Sequence, residues 1–148
     1  EYERIVRTRI HSLGLDSSVF LTGPMPSDDP RLIGLFQCAH AFVLPSISET
    51  FGMVLLEAWA AGCPVIASAT SGAKQLVRNG ENGVLFEVGS KPSFLHAVER
   101  TFAHDEHRQG LGAVGQRMVQ TQFDSRVLGR RVRDLYKDLC VGKRIAEQ

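Results

Sequence analysis

The chain is 148 residues long, 43% hydrophobic and 22% charged, with a formal net charge of +1. That length suits one ordinary domain with a real core, and the near-neutral balance with few, scattered aromatics argues against nucleic acid as a partner. Three widely spaced cysteines, Cys38, Cys63 and Cys140, lie among apolar neighbours, which suits reduced thiols in a cytoplasmic protein better than a disulfide framework.

No apolar run reaches bilayer length, and Glu1-Tyr2-Glu3-Arg4 has neither the basic start nor the apolar core of a signal peptide. Peripheral membrane contact stays open. Ile5, Val6, Ile10 and Leu13 recur at helical spacing before Gly14, so a helix is expected there. SSVFLTG reads as a short buried strand ending at Gly23, followed by a loop, Pro24-Met25-Pro26-Ser27. Asp28 or Asp29 then caps a helix with Pro30 in its first turn and Leu32, Ile33, Leu35 and Phe36 towards the core.

AFVLPS is an apolar run closed by proline, as expected of a strand covered on both faces. A helix follows from about Gly52 to Ala61, then a break at Gly62-Cys63-Pro64, a strand VIAS, a short helix from Ala73 to Arg78, a double turn at 79–83 and a last strand, GVLFEV. Beyond Ser90 the pattern is helical, ending in Ser125 to Leu139, with frayed residues after Gly142. Apolar strands alternating with helices predict a doubly wound, Rossmann-like α/β domain, a parallel sheet with helices on both faces. Ligands of such sheets sit where strand-to-helix loops gather, and Ser46 to Phe51 is such a loop.

That loop and helix, SISETFGMVLLEAWAAGCPVIAS, carry two acids, Glu49 and Glu57. If the helix starts near Gly52, the amides of Gly52, Met53 and Val54 are first-turn donors without intrahelical partners, and a phosphate or diphosphate is their natural guest. Glu57 leans back towards that terminus, where its carboxylate suits a ribose diol. Glu49 precedes the helix and would reach the far side of the phosphate. Spacing alone equally fits an acid on a helix rim and an exposed loop acid beside the dipole.

Ser46-x-x-Glu49-x-Phe51-Gly52-Met53-Val54-Leu55-Leu56-Glu57-Ala58 with Ala61-Gly62-Cys63-Pro64-Val65-Ile66-Ala67 resembles the E-x7-E signature of retaining nucleotide-sugar glycosyltransferases of the GT-B fold, family 4 (glycosyl transferases group 1). The resemblance extends over Val19 to Gly23, Ala41 to Ser46, the Asn79-Gly80-x-x-Gly83 turn and Gln122-Phe123-Asp124. It implies transfer of a hexosyl group, with retention, from a nucleoside diphosphate sugar to an acceptor that the sequence does not name. It also implies donor contacts from Phe51, Gly52, Met53, Val54 and Glu57, a catalytic role for Glu49 in orienting the sugar and stabilising the transition state, and no metal or other cofactor. The alternative is a non-catalytic α/β module that binds nucleotide or a partner protein.

The family's usual Gly-Gly-x-x-Glu is here Ser71-Gly72-Ala73-Lys74-Gln75, so Gln75 replaces an acid. The Gly-Arg and Lys that usually grip the diphosphate, and the N-terminal acceptor domain, have no counterpart in residues 1–148. The resemblance therefore implies a partial donor-binding domain, inactive alone, with strand edges that a homodimer could cover.

His104-x-x-His107 reads as an exposed helix connection rather than a metal site. Arg126, Arg130, Arg131, Arg133 and Lys137 read as a solvated face opposite a buried stripe of Val127, Leu128, Val132, Leu135 and Leu139. Met25 fits a nucleobase contact by family analogy and a loop packing role equally well.

Overall fold

The structure is a computed structural model that describes residues 1–26 and 28–146, with side chains through Cys140; Ser27, expected in a loop, lies outside the described residues. Its contacts divide it into two units, Glu1–Leu32 and Ile33–Gln148.

In the first unit the expected helix is α1 (Tyr2–Ser12), and the chain turns away at Gly14, whose φ of 65° favours glycine. The strand expected at 17–23 does not form. The amides of Ser18 and Val19 bond back to the carbonyl of Leu15 rather than to a ladder, and Phe20 is 78% exposed; an apolar run becomes a strand only where a neighbour pairs its backbone. Asp29 caps α2 (Pro30–Cys38), its Oδ1 accepting from the Arg31 amide at 2.9 Å. The Arg31 side chain on the same carboxylate holds Asp29 below the ordinary carboxylate range.

The second unit holds a parallel sheet in the order β1 (Phe42–Leu44), β2 (Val65–Ser68), β3 (Val84–Phe86). Val43 pairs with Ile66 and Ile66 with Val84, so these three share one face. That face packs on α5 (Lys91–Phe102) and α6 (Asp105–Met118) through Ala97 and Leu111. Alternation turns Val65 and Ala67 to the other face, towards α3 (Met53–Ala60), which packs on β2. The doubly wound expectation holds, with one correction: β1, an edge strand among the described residues, is only half-buried.

Three further expectations shift. α4 runs Ser71–Leu76, two residues earlier than expected, because Thr70 caps it and accepts from the Ala73 amide. In α2 only Phe36 is buried, set edge-on against Phe42 with ring centres 5.3 Å apart, while Ile33 and Leu35 are exposed. α7 (Ser125–Ala146) follows a π-helical turn, Val119–Phe123, and continues helical past Gly142, where fraying was expected; Glu147 and Gln148 lie outside the described residues.

The stripe of α7 is not buried. Leu128, Val132, Leu135 and Leu139 are 41% to 59% exposed. At 1.5 Å per residue the helix is about 33 Å long, well beyond what a sheet of three strands about 4.8 Å apart can cover. Among the described residues no helix is long and apolar enough to cross a membrane.

Candidate functional site

The loop after β1 turns into α3 at Gly52, whose φ of 94° is left-handed. The turn is tight: a Cβ there would lie 2.9 Å from Leu55 Cδ1 and 3.7 Å from Glu49 Cγ. Leu55, Ala58 and Trp59 are fully buried and Leu56 nearly so, which seats the helix and fixes where its first turn points. The Leu55 amide bonds to the Gly52 carbonyl at 2.9 Å, but among the described residues the amides of Gly52, Met53 and Val54 have no acceptor. These are the orphan donors of a helix start, carrying its positive dipole end.

Glu49 lies in the loop before this terminus and Glu57 lies four residues beyond Met53 along the helix, and each is half-buried. Among the described residues neither carboxylate belongs to an ion pair. Phe51 is 38% exposed, and its ring meets Phe123 of the π-helical turn edge-on, centres 6.4 Å apart. The sequence-derived residues Glu49, Phe51, Gly52, Met53, Val54 and Glu57 therefore belong to one turn and one helix at the carboxyl end of β1. In chain order the unpaired amides lie between the two carboxylates, a set of donors and acceptors that suits a group both anionic and rich in hydroxyls.

Residues that sequence reasoning missed hold this turn in place. The Ser68 hydroxyl donates to the Ser46 carbonyl. Gly72 N–H donates to the Glu49 carbonyl at 2.9 Å, and the Ser71 hydroxyl reaches the same oxygen at 3.3 Å. Asn82, 1% exposed, accepts from the Arg78 amide at 2.8 Å and donates to the Leu76 carbonyl at 3.1 Å, so it closes the turn before β3. The double turn at 79–83 was the only sequence signal for Asn82. None pointed to the bonds of the two serines, whose partners lie more than twenty residues away.

Gln75 is exposed, as are His104 and His107 at the start of α6. Met25 belongs to the first unit. Cys63 is 1% exposed, and burial pushes its thiol pKa up.

The family model described as glycosyl transferases group 1 matches residues 1–118. The D-inositol 3-phosphate glycosyltransferase of Acidothermus cellulolyticus is 33% identical over 146 residues, 99% of this chain and 32% of that protein. Sucrose-phosphate synthase from Thermosynechococcus elongatus superposes with a TM-score of 0.81 at 29% identity, over 94% of this chain and 34% of that one. Anabaena HepE, solved in complex with UDP-glucose, gives a TM-score of 0.79 at 24% identity over 93% of this chain and 37% of its own, a likeness of fold. The chain thus spans about a third of the length of these relatives.

Proposed function

The chain belongs to the glycosyl transferases group 1 family, and from that premise we propose that residues 1–148 are the donor-binding part of a longer, retaining hexosyltransferase. Its donor is a nucleoside diphosphate sugar. The observation that carries this reading is the row of unpaired amides, Gly52, Met53 and Val54, opening α3 between Glu49 and Glu57.

The diphosphate sits on those amides. As the bond to the sugar breaks, negative charge grows on the leaving phosphate, and donors already aimed at it stabilise that charge without reorganising. Glu57 accepts from the ribose hydroxyls, an ion-assisted contact of about 1.5–3 kcal/mol. Glu49 faces the sugar, orienting it and stabilising positive charge at the anomeric carbon, while Phe51, braced by Phe123, holds the turn between them. The reading assigns the diphosphate charge to backbone amides, with no resident metal or cofactor. Acceptor contacts belong to parts of the longer protein beyond these residues.

Titration with UDP, GDP and ADP and their hexose conjugates, followed by amide NMR, tests this directly. One base should shift the Gly52, Met53 and Val54 amides, and Glu57→Gln should weaken that nucleotide about tenfold or more, as expected for loss of a charged hydrogen bond. A folded protein silent to all three at millimolar ligand would instead make the turn and helix a scaffold.

A further inference from the structure

The Glu49 carbonyl is gripped from the neighbouring strand-to-helix turn. It accepts two hydrogen bonds, from the Gly72 amide at 2.9 Å and from the Ser71 hydroxyl at 3.3 Å. Gly72 also serves by having no side chain: a Cβ there would lie 2.6 Å from both the Glu49 oxygen and the Phe51 nitrogen. The 49–51 backbone therefore rests directly on the Gly72 backbone, without a side chain between. The platform is itself fixed, since Thr70 caps α4 through the Ala73 amide and its own amide bonds to the Ser68 carbonyl at 2.7 Å.

We propose that Ser71 is a positioning residue for Glu49: with Gly72 it clamps the Glu49 carbonyl and thereby sets the direction of the Glu49 carboxylate and of the Phe51 and Gly52 amides. The inference rests on the donor-site reading above for its consequence in catalysis, but not for its geometry. Fixing a residue's carbonyl fixes the backbone torsions on either side, and with them the bond from Cα to Cβ along which the side chain departs. A loop without the clamp would sample other directions, and a carboxylate misdirected by about 1 Å at the transition state costs rate more than binding. Ser71 is exposed and at the first position of α4, so its hydroxyl can be removed without opening a cavity.

The test uses the full-length protein with Ser71→Gly and, as the conservative rescue, Ser71→Thr, read by amide hydrogen exchange and by steady-state kinetics. Loss of the Ser71 bond should speed exchange at the Gly72 amide, the other donor on the Glu49 carbonyl, about fivefold in Ser71→Gly while the β2 amides exchange as before. The kcat for sugar transfer should fall by a similar factor with the donor KM held, and Ser71→Thr should restore both. Unchanged local exchange in Ser71→Gly, or a kcat loss that Ser71→Thr shares, overturns the clamp. Exchange needs no donor, so failure of the transferase reading shows separately, as wild-type protein that binds and turns over no nucleotide sugar.

Discussion

The indole N–H of Trp59 donates to the backbone carbonyl of Asn82 across 2.8 Å, with both residues essentially sealed from solvent. The bond joins the helix that opens the candidate site to the turn before β3. Asn82 then uses its side chain on the Arg78 amide and the Leu76 carbonyl. Asn82→Ala keeps the Trp59 bond but strands the buried Leu76 carbonyl and releases the amide of the exposed Arg78, and should cost about 1–3 kcal/mol, chiefly for the buried carbonyl. Trp59→Phe strands the Asn82 carbonyl and should cost about 1–3 kcal/mol before any packing loss. Urea denaturation midpoints measure both; a change in Asn82→Ala no larger than for a surface residue would show that the turn is not held this way.

The ring of Trp59 also explains a glycine in the middle of α6. A Cβ on Gly115 would run into Trp59 Cδ1, Nε1 and Cγ, and the fully buried indole has nowhere to go. Gly115→Ala should therefore destabilise by about 1–3 kcal/mol or more, despite alanine's better helix propensity. Gly110 and Gly129 have open space around them and lie within α6 and α7. There the same substitution should stabilise by about 0.5–1 kcal/mol. Opposite signs of the melting shift at these positions are the check.

The candidate turn was legible in the sequence because every signal for it is local: a proline-closed apolar run, Gly52, then an apolar helix. The resemblance marked the segment of Ser71 and Gly72 but not what they do, because their partner is the Glu49 carbonyl on another segment, and nothing periodic marks a small residue that must face a backbone. Two misreadings have the same origin. Periodicity told which α7 residues share a face, yet burial depends on what lies opposite, and Val132 and Leu135 are more than half exposed. Residues 17–23 have strand-like composition, yet a strand also needs a ladder partner, which composition does not encode.

The cysteines divide by burial. Cys38 and Cys140 are exposed and Cys63 is buried, with its pKa raised first by desolvation and lowered less by the backbone at Phe42. A disulfide reagent at pH 8 should titrate two thiols quickly and the third only as fast as the fold opens. The sign of the linkage follows from the raised value. Folded Cys63 keeps its proton where the unfolded thiol, near about 8.5, has lost it. Its contribution to stability is therefore intact below that value and declines as pH rises through the folded pKa. Three equally fast thiols in native protein would contradict the burial.

Asp124 starts α7 by three contacts with one residue: its Oδ1 accepts from the Arg126 amide at 2.9 Å and from Arg126 Nε at 3.1 Å, and its Oδ2 from Arg126 Nη2 at 3.4 Å. The side-chain contacts, then the backbone one, hold the carboxyl below its ordinary value of 3.8. A depressed folded pKa means that the stabilisation is fully present above 3.8 and is lost as pH falls through the lower folded value. The group is open to solvent, so salt screens the ionic part while the amide bond persists. Asp124→Asn should thus keep much of the helix at neutral pH and abolish this residue's part of the acid response, whereas Asp124→Ala should lose helicity at every pH. Circular dichroism at 222 nm from pH 7 to pH 2, at low and high salt, separates the cap from the charge. Equal helicity in Asp124→Ala and wild-type protein would mean that α7 is held by its packing at the π-helical turn rather than by its cap.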